Sequence, residues 1–162
     1  MPRFDDIPRN ISDIIAAHVK LYLENPEQAH IWDSTVVGVP GPVTTLLLTT
    51  KGRKSGEERH VPLLYVDNDG TYLVVGSKGG HASDPAWYLN LQADPNCEVR
   101  VGRFRSQAVA RTLDGEERER LWTKVTDKHP VYAKYQSRTD RRIPLVLITP
   151  SGSGTQTDAT PR

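Results

Sequence analysis

The sequence predicts a mainly β, α+β fold in the form of a small split β-barrel. Short apolar runs bounded by turn residues predict it, as do the few helical stretches between them and the lack of any strand-helix-strand repeat that would build a parallel sheet. With 162 residues, 36% apolar and 25% charged, the chain is sized for one domain and has enough apolar side chains for a core. That domain is expected to span residues 1–150, including an N-terminal helix.

Asn10 is placed to cap the first helix, whose apolar positions Ile11, Ile14, Ile15, Val19 and Tyr22 share one face, and Asn25-Pro26 ends it. That face is expected to pack on the domain. Strands follow at Val43–Thr50, His60–Val66 and Thr71–Gly76, each closed by Gly, Asp, Asn or Lys-rich turns. Asp84-Pro85 reads as a helix start, with Trp87, Tyr88 and Leu91 on one face. Cys97 to Thr112 reads as a hairpin turning at Gly102-Arg103. Asp114 and Glu117 have capping-box spacing ahead of Leu121, Trp122 and Val125, and Ile143–Ile148 supplies a last strand. The Gly, Ser and Thr-rich tail over residues 151–162 has no apolar period and is expected to be disordered.

Composition excludes several functions. The 21 basic and 20 acidic residues nearly cancel, so no global field favours nucleic acid. Cys97 is the only cysteine, which rules out an internal disulfide and reads as structural. The opening MPRFDDIPRN lacks the apolar stretch of a signal peptide, and no apolar run approaches the roughly 18 residues of a membrane span. A cytoplasmic protein is expected. The five histidines have no metal-ligand spacing, and G-x-S-x-G, G-x-G-x-x-G and P-loop patterns are missing. Neither a metal nor a nucleophile-based reaction is expected.

Three segments could carry chemistry. Lys51 to His60 gathers Lys51, Arg53, Lys54 and Arg59 with two glycines between predicted strands, a composition that suits an anion and equally an ordinary solvated turn. Gly76 to Asn90 joins a strand end, a Ser-Lys-Gly-Gly turn and a helix start, where backbone N–H groups attract polar ligand edges and Trp87 or Tyr88 offers a flat surface. Either aromatic could instead fill the core. In His129 to Arg142, Tyr132 and Tyr135 lie three apart, on one face if the segment is helical.

These segments, in this order, resemble the deazaflavin-dependent nitroreductase and quinone reductase family; the resemblance runs from about Thr44 to Pro150 through TTKGRKSGEERHVPL, SKGGHASDPAWYLNLQADPNCEV and YQSRTDRRIP. It implies a split barrel of the flavin-reductase, FMN-binding type, and an oxidoreductase that passes a hydride from reduced coenzyme F420 to a quinone, enone or nitro compound. On that resemblance Arg53, Lys54 and Arg59 meet the coenzyme's anionic tail, and Pro62 borders its ring. Ser77, Lys78, Gly79 and Gly80 line the ring and linker, and Pro85, Trp87, Tyr88 and Asn90 form another wall. Tyr132, Tyr135 and Ser77 are the expected catalytic groups on the acceptor side. The best-known nitroimidazole-reducing member differs here, with tyrosines where this chain has Leu64 and His129 and a tryptophan at Arg138, so conjugated carbonyl compounds are the expected acceptors. FMN in the same fold, and a non-catalytic coenzyme carrier, are the alternative readings. A quinone acceptor would also make peripheral contact with the inner face of the cell membrane sensible.

Overall fold

The computed structural model describes residues 11–37, 39–151 and 155–156. Nine strands among these residues form one sheet in the order β1-β2-β6-β7-β8-β5-β4, with β3 on β2 and β9 on β7. They are β1 (Ile31–Trp32), β2 (Val43–Lys51), β3 (Glu58–Leu64), β4 (Val66–Asn68), β5 (Thr71–Val75), β6 (Asn96–Val101), β7 (Phe104–Thr112), β8 (Leu145–Pro150) and β9 (Thr155–Gln156). Every pairing is antiparallel, as the sequence predicts. Strands β3 and β4 lie at opposite ends of the hydrogen-bonded path, yet Tyr65 alone separates them in the chain. The sheet must therefore curl until its ends meet without closing, which is the split.

Alternation along the strands builds the core. Leu46, Leu48, Tyr72, Val74, Val99, Val146 and Ile148 point into the barrel, all at most 2% exposed. Leu73, Val75, Leu145 and Leu147 point outward beneath Leu121, Val125 and Tyr132. Covering both faces explains why β5 and β8 are continuous apolar runs, and each buried leucine contributes about 2 kcal/mol. Pro62 stands opposite Leu47 on β3, which pairs only with β2 among the described strands. An edge strand can carry a residue with no N–H to donate.

Among the described residues five α-helices pack outside: α1 (Ile11–Glu24), α2 (Pro26–His30), α3 (Ala86–Ala93), α4 (Gly115–Lys128) and α5 (Val131–Gln136). Helix α1 ends where expected and packs Tyr22 and Val19 of the expected face inward, turned so that His18 joins them and Ile15 does not. His18 and Tyr22 are buried, whereas Ile15 is 39% exposed. Polar anchoring sets this rotation. The Tyr22 hydroxyl donates to the Thr45 carbonyl at 2.7 Å and accepts from the Gly102 amide at 3.0 Å. His18 donates to the Ala29 carbonyl at 2.9 Å and stacks on Trp32 with 4.8 Å between ring centres. Asn10, the expected cap, lies outside the described residues. Asn25 both ends α1 and caps the unanticipated α2, accepting from the Gln28 amide at 3.3 Å.

Two predicted caps do not form. Asp84 makes no cap bond to α3 and instead pairs with Arg141 at 2.8 Å. Asp114 occupies the cap position of α4 without a side-chain bond, and Glu117, the other half of the expected box, forms a forked pair with Arg111 at 2.8 and 3.0 Å. The guanidinium offers Glu117 a charge-assisted partner that a lone backbone N–H cannot match. The predicted last strand starts at Leu145, with Ile143 buried just before it. Of the tail expected to be disordered, only Ser151 and Thr155–Gln156 are described, the latter pair opposite Arg105 and Phe104; the remainder lies outside the described residues.

Candidate active site

The β2–β3 connection folds back on itself, the Gly52 amide donating to the Glu57 carbonyl at 2.7 Å and the Gly56 amide to the Gly52 carbonyl at 2.8 Å. This closed turn lifts Arg53, Lys54 and Arg59 along one side of a cleft of about 410 Å³, with Val61 on β3 and Trp87 and Asn90 on α3 completing it. Asn90 organises the cleft. Its Oδ1 accepts from Arg53 Nη1 at 2.9 Å and from the Arg53 amide at 3.2 Å, while its Nδ2 donates to Thr50 Oγ1 at 3.1 Å. Arg53 is therefore aimed before any ligand arrives. Arg59 lies 3.4 Å from Ser55 Oγ and 3.7 Å from Glu57, both exposed partners that compete weakly with an incoming anion. His60, to which the sequence reading assigned no role, lines the same cleft and is held by Thr49 Oγ1 at 2.8 Å.

The Gly76–Asp84 segment runs from β5 to α3. Lys78, Gly79 and Gly80 all adopt left-handed backbone, at φ 45°, 63° and 83°. A Cβ at Gly79 would meet nothing within 4 Å, so its backbone is open to a ligand, whereas a Cβ at Gly80 would lie 2.7 Å from the Tyr135 carbonyl oxygen. Close approach to α5 thus requires glycine at position 80. Ser77 is 8% exposed, and exposed Lys78 reaches Ser83 Oγ at 3.4 Å. Pro85, buried, occupies the cap position before α3.

The expected residues separate by environment. Arg53, Lys54, Arg59, Trp87 and Asn90 share the cleft, while Ser77, Lys78, Gly79, Gly80 and Pro85 form the adjoining loop, against which Tyr135 packs through Gly80. Tyr88 turns into the barrel core, its hydroxyl 3.0 Å from Thr112 Oγ1. Pro62 sits farther along β3, outside the residues that line the cleft. Tyr132, 8% exposed, belongs to the outer core, and burial raises its phenol well above the usual range. Tyr135 is half-buried 6.1 Å from Tyr132, ring centre to ring centre, with the Arg138 guanidinium 5.5 Å from its own ring centre. Burial raises the Tyr135 phenol and Arg138 opposes the shift, so its hydroxyl keeps its proton at neutral pH. Cys97 is buried, its thiol pushed up to about 12 by desolvation, in keeping with a structural role.

A sequence profile described as F420H(2)-dependent quinone reductase matches residues 25–150. The chain belongs to that family. Among its relatives, an F420H(2)-dependent quinone reductase of Mycobacterium tuberculosis is 40% identical over 114 residues, covering 68% of this chain and 76% of the relative. A solved F420-H2 dependent reductase is 44% identical with a TM-score of 0.60, covering 64% of this chain and 92% of its own. A domain-swapped dimer is 37% identical with a TM-score of 0.62, covering 86% and 99%. A haem storage protein from Vibrio cholerae, 15% identical over 69% of this chain and 84% of its own with a TM-score of 0.53, shares the fold alone. Family membership agrees with the resemblance drawn from the three segments. Among the described residues, no helix is long and apolar enough to cross a membrane, and no cluster of potential metal ligands occurs.

Proposed function

We propose that this protein, with residues 1–150 acting as one domain, is an F420H2-dependent reductase in which the cleft beside Arg53 holds the anionic tail of the coenzyme and the Ser77–Gly80 loop holds its ring. The observation that carries this reading is the pre-aimed Arg53, with Lys54 and Arg59 beside it on a chain of nearly balanced charge. A forked guanidinium and two further cations fit a phosphodiester and carboxylates, so the residues present suit the group.

Bound reduced F420 supplies a hydride to the acceptor. The protein's part is to orient and protonate. The open backbone at Gly79 accommodates a flat ring edge, and Trp87 supplies an aromatic wall. Tyr135, protonated at neutral pH, would donate a hydrogen bond to a carbonyl oxygen of the acceptor, give that oxygen its proton as negative charge develops there, and regain a proton from solvent. Tyr132 supports the Tyr135 ring from behind, and the Ser77 hydroxyl is the second polar group facing the acceptor. Pro62 and Tyr88 support the coenzyme from the barrel side.

Quinones are the acceptor class this arrangement serves, with enones and nitro compounds as further substrates. We also propose that the enzyme works in the cytoplasm with contact at the inner face of the cell membrane, where Ile15, Leu23 and Ile31, exposed at 39%, 45% and 61%, would meet the lipid. The functional test is oxidation of reduced F420 by a menaquinone analogue, with coenzyme affinity measured over a salt series. Turnover together with salt-weakened binding is the expected result, and binding indifferent to salt would remove the assigned role of the basic loop.

A further inference from the structure

We propose that Arg141 is the positioning residue of this site: its guanidinium holds the Gly76–Asp84 segment in the conformation that presents Ser77–Gly80 to the ring, at a set distance from Tyr135. The inference builds on the functional reading above. Arg141 Nε donates to the His81 carbonyl at 2.7 Å, Nη1 to the Gly76 carbonyl at 3.2 Å and to Asp84 Oδ1 at 2.8 Å, and Nη2 to the Ser77 carbonyl at 2.8 Å. One side chain thus gathers three backbone carbonyls and a carboxylate that lie 57 to 65 residues earlier in the chain. Its side chain is only 15% exposed, so these contacts are poorly screened.

The segment needs such a brace. Three successive left-handed residues, one of them Lys78, are costly, by about 1 kcal/mol for the non-glycine residue, and persist only where the surroundings over-determine them. Inside the turn only two backbone bonds oppose that strain, from the Gly80 amide to the Ser77 carbonyl at 2.8 Å and from the His81 amide to the Lys78 carbonyl at 3.0 Å. Arg141 adds bonds at both ends and shares the Ser77 carbonyl with the turn.

The other end of Arg141 is tied to the acceptor side. Gln136, adjacent to Tyr135 on α5, donates to the Arg141 carbonyl at 2.8 Å and accepts from the Ile143 amide at 2.9 Å. The path Tyr135, Gln136, Arg141, Ser77 therefore joins the wall that donates a proton to the wall that holds the ring. A planar fork with five donors can serve four diverging acceptors, whereas an ammonium cannot. The acceptors belong to a loop and not to either core, so removing the fork should loosen the segment while the barrel stays folded.

The first readout uses coenzyme-free protein. In Arg141→Ala, amide hydrogens of residues 77–84 are expected to exchange roughly tenfold faster, with β2 and β6 as protected as in wild type. The second readout is kinetic. Turnover of reduced F420 with menadione is expected to fall about 10- to 100-fold while the coenzyme Kd changes less than about threefold, because placement and not attraction is lost. Millimolar methylguanidinium is expected to restore protection and turnover together. Arg141→Lys keeps the charge and much of the stem, and is expected to remain defective in both readouts. Unchanged exchange over residues 77–84, full activity in the Lys variant, or turnover lost only in step with folded protein would each overturn the proposal. If Arg141→Ala does not fold, Asp84→Asn and Arg141→Lys carry the exchange test, and wild-type protection in both overturns it. Wild-type protein that fails to bind F420 would overturn the functional reading instead, leaving the exchange comparison to decide the clamp.

Discussion

Asn90→Ala separates the aiming of Arg53 from the mere presence of its charge. Three hydrogen bonds disappear: two accepted from Arg53 at 2.9 and 3.2 Å, and one donated to Thr50 Oγ1 at 3.1 Å. Asn90 is 4% exposed and Thr50 2%, so the Thr50 hydroxyl loses a partner that water replaces poorly, whereas exposed Arg53 can be rehydrated. At about 1 kcal/mol per neutral bond and somewhat more for the charged one, the folded state should lose about 2–3 kcal/mol, read as a lower urea midpoint at unchanged slope. Binding suffers separately. A guanidinium that must be ordered on binding costs up to about 2 kcal/mol of side-chain entropy, which weakens the coenzyme Kd by about 5- to 30-fold. Asn90→Asp retains the acceptors for Arg53 but places a carboxylate in an anion cleft, so its affinity should fall below that of the Ala variant, with a gap that narrows as salt is added. Fluorescence titration of F420 reads both. An Ala variant that is destabilised yet binds the coenzyme within about twofold of wild type would refute the aiming argument.

Further expectations can be checked with the same assays. The Arg53→Ala, Lys54→Ala double variant should bind F420 about 10- to 100-fold more weakly at low salt, and its affinity should change less along a salt series. Tyr135→Phe should lower turnover more than it weakens the coenzyme, whereas Tyr132→Ala should cost about 3–5 kcal/mol of stability by emptying a core position, measured by urea unfolding. Burial holds the Cys97 thiol up to about 12 against an ordinary 9.0. Its contribution to stability is therefore complete below about pH 9 and lost as pH rises toward 12, and the native thiol should resist a disulfide reagent at about pH 8 until urea unfolds the chain. Burial also lowers His18 and His129 below 6.5. Because their neutral forms are favoured in the fold, that stability is present above pH 6.5 and lost as pH falls through the lowered values, and His18→Gln should flatten the acid limb of the urea midpoint.

The strands were legible because their apolar runs are dense and bounded, and the split barrel because no helix connects parallel neighbours. The inward face of α1 was legible only in part: Tyr22 and Val19 pack as their spacing implies, but His18 is drawn in by the Ala29 carbonyl, which lies elsewhere in the chain. Apolar periodicity favoured Ile15, which the fold leaves outside. At both expected caps a carboxylate that looks local in sequence finds an arginine, Asp84 the distant Arg141 and Glu117 the Arg111 of the preceding strand. Within the site, the basic loop was legible as composition, while the aiming of Arg53 by Asn90 joins residues 37 apart and leaves no sequence signal. Both aromatics belong to the barrel core, and only Trp87 also reaches the cleft, because neighbouring residues on a helix turn about 100° apart. Arg141 lies in the Arg141-Arg142 pair two residues before Pro144, and nothing local in the sequence marks it, because its acceptors lie 57 to 65 residues earlier.

The most direct test of the account is a fluorescence titration of the purified protein with F420, followed by oxidation of the reduced coenzyme with a menaquinone analogue. Saturable binding that weakens with salt, together with acceptor-dependent oxidation, is the predicted result. No binding at micromolar coenzyme, or binding without any acceptor-dependent oxidation, would contradict it.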